Sequence, residues 1–174
     1  MASLTERMIG AAMLNVATYE EVEADQTATS QAAVVVALVA VAGAIGNYFR
    51  HGGRGIIGAV IAAFIGWLLW AAITYFVGTR LFGGTATLGE MLRTLGFAQS
   101  PGVIGILAII PILGWLIMVV IALWQLVAGI IAIRQALDFT TGKAILTALV
   151  GWVAVWIINA VVLGALFGGA LLAR

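Results

Sequence analysis

Residues 88–143 read LGEMLRTLGFAQSPGVIGILAIIPILGWLIMVVIALWQLVAGIIAIRQALDFTTGK, and the number of times this stretch crosses a bilayer decides the fold. It is apolar for most of its length, is interrupted by Pro101 and Pro111, the only prolines of the chain, and ends in a polar patch from Arg134 to Lys143. From Val103 to Ile133 there are about thirty residues, roughly 46 Å as one α-helix, against a hydrocarbon core of about 30 Å. That is too long for one crossing and too short for two. Two crossings follow if the first runs from Met91 to Ile110 with Pro101 inside it. Pro111 and Gly114 then make the turn, and Ile112 to Ile133 form the next span. The competing reading makes Gly102 to Ile110 a re-entrant half-helix that returns to its own side.

Charge separates the two. With five spans, one face collects Arg7, Arg80, Arg93, Arg134 and Lys143, and the other holds Arg50, Arg54 and Arg174. With four, the split is even. The positive-inside rule favours five, with a cytoplasmic N-terminus and the C-terminus on the opposite side.

Composition sets the solvent. The 174 residues are 64% hydrophobic and 9% charged, with a mean hydropathy of +1.19. A soluble domain could not hide that much apolar surface, so lipid covers part of it. The net charge of +1 comes with no basic stripe, and nucleic acid is not an expected partner. The absence of cysteine excludes disulfides and thiolate chemistry. No basic end precedes an early apolar run, so the N-terminus is expected to be unprocessed.

Outward from the central stretch, residues 1–30 form a polar N-terminal segment and 31–174 the membrane domain. Spans are expected at about 32–49, 56–77, 91–110, 112–133 and 144–167. Capping boxes are predicted at Ser3/Glu6, Thr18/Glu21 and Thr87/Glu90. Leu4, Met8, Ala11, Ala12 and Val16 have helical spacing, which predicts a short amphipathic helix lying in the membrane interface or against its own bundle. The acidic run holding Tyr19, Glu20, Glu21, Glu23 and Asp25 reads as a solvated helix or as a docking surface for a basic partner. Between the first two spans lies His51-Gly52-Gly53-Arg54-Gly55. The G-x-G-x-x-G match from Gly53 to Gly58 follows no strand and opens a membrane helix, so it carries no nucleotide. His51, the sole histidine, has no neighbouring carboxylates to share a metal with.

Catalysis finds no constellation here. Glu90 and Asp138 are the only acids after Asp25, both at predicted membrane edges. No nucleophile–base set, metal cluster or phosphate cradle accompanies them, so neither enzyme activity nor a cofactor is expected. What the spans do hold is a sparse polar set: Thr74, Tyr75, Gln99, Ser100, Gln125, Thr147 and Asn159. Such groups either bond helices together, each bond contributing about 0.6–2 kcal/mol, or line a polar path. Pro101 has no N–H, so the carbonyl of Phe97 loses its helical partner, and within lipid a neighbour must replace it. A kink of the third span is predicted there, inside the bundle, with Gln99 or Ser100 beside it. Gly164 and Gly168 form G-x-x-x-G with Gly151 further up the same helix, spacing suited to close packing or self-association. Trp115 falls near an interface, whereas the other tryptophans fall nearer mid-span and read as packing residues.

Taken together, Tyr19-Glu20-Glu21-Val22-Glu23-Ala24-Asp25, Leu95-Gly96-Phe97-Ala98-Gln99-Ser100-Pro101 and Leu123-Trp124 followed by Arg134-Gln135-Ala136-Leu137-Asp138 resemble the Yip domain in its short prokaryotic form. The resemblance implies five spans and a cytosolic N-terminus. It also implies the partners of that family, which are Rab-type GTPases and other Yip proteins in its eukaryotic members. A counterpart of their long N-terminal region is not expected ahead of the first span. The expected protein is an all-α polytopic bundle acting as a non-enzymatic scaffold or adaptor that binds membrane lipids, other membrane proteins or itself. The alternatives are a small transporter or channel component, in which Gln99, Ser100, Gln125 and Asn159 would converge on one cavity, and an accessory subunit of a larger membrane complex.

Overall fold

The computed structural model describes residues 2–47, 56–110 and 112–172, with the side chains of 156 and 159–172 outside the description. The His51 loop, Pro111, Trp156, Asn159, Gly164 and Gly168 therefore lie outside what is described here. Among the described residues there is helix and no strand: α1 (Leu4–Ala12), α2 (Val16–Ala24), α3 (Ala28–Gly46), α4 (Ile56–Leu81), α5 (Leu88–Phe97), a 3-10 helix (Ser100–Ile109), α6 (Gly114–Ala136) and α7 (Thr141–Leu172).

Four helical stretches are long and apolar enough to cross a membrane, namely Ala28–Gly46, Ile56–Leu81, Leu88–Ile109 and Gly114–Ala136. In the remaining helix the segment Thr141–Val155 is shorter. The third stretch differs from the rest. It is 61% buried inside the protein, against 11–28% for the other three. It packs on α1, α2, α3, α4 and α6 and is the hub of the bundle.

This hub changes helix type at the proline. The α-helix stops at Phe97, and a 3-10 helix with Pro101 in its first turn takes over from Ser100. Sequence spacing implied one α-helix over 91–110; the structure replaces its second half with 3-10 winding. The cause is local. Pro101 cannot donate to the α-helical ladder, and Ser100 Oγ donates to the stranded Phe97 carbonyl at 2.6 Å. Next, the Gly102 amide closes onto Gln99 O at 2.8 Å, an i to i+3 bond. Winding at about 2.0 Å per residue instead of 1.5 Å lets α5 and the 3-10 helix together reach about 35 Å, enough for the hydrocarbon core.

The 3-10 period also explains why so long a run persists. At three residues per turn, Gly102, Gly105 and Ala108 fall on one edge. That edge lies against Val39, Gly43 and Gly46 of α3. A methyl group on Gly46 would fall on the carbonyl oxygen of Gly105, and one on Gly102 would meet Val39 and the Gln125 amide, at 2.5 Å each. Lipid offers no hydrophobic drive for two helices to meet, so such close backbone contact is what holds them.

Elsewhere, some boundaries shift. The Ser3/Glu6 and Thr87/Glu90 capping boxes form, but α2 starts earlier than the Thr18/Glu21 box would place it. Asn15 caps it instead, its side chain accepting from the Ala17 amide at 3.0 Å. Helix α3 begins at Ala28, ahead of the expected span at about 32–49, because the polar Thr29, Ser30 and Gln31 join its first turn. Gly151 is buried against Thr74 and Trp70, which brings α7 onto α4.

The contact between α3 and the 3-10 helix gives a paired test. Gly46→Ala should cost about 1–3 kcal/mol by overpacking against a backbone atom. Gly43→Ala, whose added carbon meets nothing within 4 Å, should be neutral or stabilise by up to about 1 kcal/mol. Thermal unfolding in detergent should therefore show a lower midpoint for the first variant only; equal midpoints would contradict the interlock.

Candidate functional site

The acidic run on α2 divides into two sets of residues with separate jobs. Glu21 and Asp25 turn inward to Arg7, which is 1% exposed. The guanidinium lies 2.9 Å from Glu21 and 2.6 Å from Asp25, and its other arm donates to Gln31 at 2.9 Å. A buried cation is tolerable only with partners this close. Bonds from Thr27 and then from Arg7 hold the Asp25 carboxyl at about 2, well below the usual carboxylate range. Tyr19 is fully buried, its hydroxyl donating to Ala11 O at 3.0 Å. Tyr19 is thus spent inside the protein, while Glu21 and Asp25 are committed to Arg7 with part of each side chain still open to the surface.

Glu20 and Glu23 point the other way. With Ala24, Glu90, Gln135 and Asp138 they line a recess of about 300 Å³ where α2, α5 and the end of α6 meet. Its carboxylates are held from several sides. Glu20 accepts from Gln135 Nε2 at 3.0 Å, and Glu90 closes its own helix cap on the Thr87 amide at 2.7 Å. Asp138, in the left-handed region at φ 54° just past the end of α6, accepts from the Thr85 hydroxyl at 2.8 Å. Glu23 has no side-chain partner among the described residues.

Among the described residues no nearby cation forms an ion pair with these carboxylates. Arg93, 6% exposed, spends its guanidinium on backbone: Nε donates to the carbonyls of Val22 and Glu23 at 3.1 Å each, and Nη2 also bonds the Glu23 carbonyl. There it serves the carbonyl end of α2, where positive charge is favoured. Lys143 bonds Phe82 O at 3.3 Å and sits over the Phe139 ring, and Arg134 holds Gln135. Burial first, then the charges of Glu90 and Asp138, push the Glu23 carboxyl up to about 7, with Arg93 acting in the opposite sense.

A second cavity, of about 320 Å³, lies among the membrane helices. Ala63, Gly66, Trp67 and Trp70 of α4, Leu95 of α5, Ala98, Gln99, and Gln125 and Gly129 of α6 line it. Gln125 Nε2 donates to Gln99 O at 3.0 Å, bridging α6 to the junction between α5 and the 3-10 helix. Two of the polar positions singled out in the sequence thus share a cavity. Ser100 does not join them, being committed to Phe97 O, and Thr74 and Thr147 bond carbonyls of their own helices at 2.6 and 2.9 Å. Trp67 is a packing residue whose indole donates to Leu92 O at 3.0 Å. No group of three metal-ligating side chains with suitable placement occurs among the described residues.

The residues missed by the sequence reading are Arg7 and Arg93, together with Glu90, Gln135 and Asp138. The first two are lone cations beside acidic or apolar runs. Their signal was available, since a charge in an otherwise buried helix face needs a partner, but which partner depends on the tertiary fold.

Compared with known families, residues 12–166 match the Yip1 domain. This chain belongs to the Yip1-domain family. No curated protein and no solved structure shows a match to it. The match starts at Ala12 and runs through every membrane helix, so the hub with its proline break and the recess on α2 both lie within the family's domain. The chain is accordingly an integral membrane protein.

Titration of Glu23 gives a signed expectation. A carboxyl raised from 4.5 to about 7 contributes stability that is present in full below its ordinary value and lost as pH rises through 7. Glu23→Gln should therefore leave the thermal midpoint unchanged at pH 4, below that ordinary value. At pH 8 it should raise the midpoint by roughly 2–4 °C, the equivalent of about 1 kcal/mol after discounting for solvent at a half-open site. An equal shift at both pH values would contradict the assignment.

Proposed function

We propose that this Yip1-family protein is a non-enzymatic membrane scaffold or adaptor, a bundle of five spans with its N-terminus cytoplasmic and its C-terminus on the opposite side. The recess formed by Glu20, Glu23, Glu90 and Asp138 carries the proposal. It is an acidic pocket at the polar end of the bundle, its neighbours Arg93 and Lys143 are turned onto backbone and Arg134 onto the Gln135 amide, and its volume accepts one lysine or arginine head. A basic side chain of another membrane protein, or of a second copy, fits that chemistry. Charge complementarity of this kind directs partner choice more than affinity. The fifth span is Thr141–Leu172, a helix of sufficient length. Small-GTPase binding is what the family resemblance implies, and we assign no surface to it.

A second reading, a transport component, draws on the cavity shared by Gln99 and Gln125. The bond between Gln125 and the Gln99 carbonyl speaks for helix bridging and leaves this reading behind the first.

A photo-crosslinking residue at Ala24, on the rim of the recess, tests the adaptor reading in native membranes. Irradiation should give a discrete adduct with another membrane protein or a second copy, and Glu20→Lys with Glu23→Lys should abolish it. No adduct, or one indifferent to the charge reversal, would contradict the proposal.

A further inference from the structure

The α1–α2 pair touches α6 at two heights. Near the polar end, Glu20 accepts from Gln135. At the other end of the pair, Trp124 Nε1 donates to Ala12 O at 2.7 Å. On α6, Trp124 lies roughly three turns before Gln135, about 16 Å along the helix axis. It is also the neighbour of Gln125, which bonds Gln99 O and faces Gly102, itself packed on Val39 midway along α3. Those levels agree. The turn joining α1 to α2 stands at the middle of membrane-spanning helices, not at their ends.

Hydrogen bonding at the turn is what that depth demands. Helix α1 ends with the Leu14 amide on Ala11 O and the Asn15 amide on Gly10 O, both 3.0 Å, with Leu14 in the left-handed region at φ 61°. Two ring donors complete the last turn: Tyr19 OH on Ala11 O and Trp124 Nε1 on Ala12 O. The end of α6 provides the internal comparison. It closes with the same pair of bonds, Asp138 onto Gln135 O and Phe139 onto Arg134 O. Yet that end, beside the acidic recess, carries no side-chain donor to its last carbonyls among the described residues. Extra donors are needed where water does not reach. Asn15, the polar residue of the turn, spends its carbonyl oxygen on the Ala17 amide at 3.0 Å. Outward from the turn, Ile9 and Met13 share one face, and they are 55% and 74% exposed.

We propose that α1 and α2 form a re-entrant hairpin whose turn, Met13 to Asn15, lies near the bilayer mid-plane, with Ile9 and Met13 against acyl chains. The Arg7 cluster with Glu21, Asp25 and Gln31 closes its outer end, and Gly10, whose added carbon would strike Thr18, allows the two helices to lie close. This is independent of the recess and of what binds there.

Since the chain has no cysteine, single spin labels can be placed in the full protein in lipid nanodiscs. Labels at Ile9 and Met13 should collide with oxygen and be shielded from a water-soluble nickel chelate, like a label at Leu123 on the exposed face of α6. A label at Ala24 should show the reverse. Trp124→Phe, which keeps the ring and loses the donor, should raise nickel access at Met13 several-fold and leave Leu123 unchanged. Nickel access at Met13 equal to that at Ala24, or exclusion of both reagents from Met13, would overturn the hairpin.

Discussion

Inside lipid every backbone carbonyl must find a donor within the protein, and the structure depends on how that demand is met at Pro101. The proline removes one N–H from the middle of the most buried helix. Ser100 covers the Phe97 carbonyl, Gln125 reaches across from α6 to Gln99 O, and the chain beyond winds as 3-10. The tighter winding stretches ten residues by about 5 Å relative to an α-helix. It also lines up Gly102, Gly105 and Ala108 against α3. One missing hydrogen-bond donor thus sets the reach of the third span, its packing edge and its partners.

Local signals read well from sequence. The Ser3/Glu6 and Thr87/Glu90 boxes need only a hydroxyl and a carboxylate three residues apart, and both form. At Thr18/Glu21 the same spacing is present, but Asn15 is the stronger cap and starts α2 sooner, and Glu21 is drawn to Arg7. The acidic run illustrates what spacing does not contain. Its hydropathy says solvated helix, whereas Arg7, twelve residues before Tyr19, takes two of its carboxylates inward. Likewise Gly102-x-x-Gly105-x-x-Ala108 is conspicuous only at a period of three, and an α-helical reading of the stretch passes over it. Gln99 and Gln125 were recognisable as unusual amides in apolar spans; that they share a cavity while Ser100 does not is a matter of which carbonyl Pro101 frees.

Helix α2 links the two regions of interest. Its inward face holds Glu21 and Asp25 on Arg7 and buries Tyr19, while its outward face gives Glu20 and Glu23 to the recess. Arg93 grips the carbonyl end of the same helix from below. Occupation of the recess by a cation would act on a helix that is already tied to the hub through α5. Structure and electrostatics therefore meet on one short element, and the family's domain includes all of it.

Whether residues 88–109 cross the membrane decides the topology of the whole bundle. Single cysteines at Thr85 and Leu113, on either side of that stretch, can be labelled in sealed vesicles with an impermeant maleimide before and after lysis. Modification from opposite faces is the predicted result. Modification of both from the same face would make the stretch re-entrant and would contradict the account.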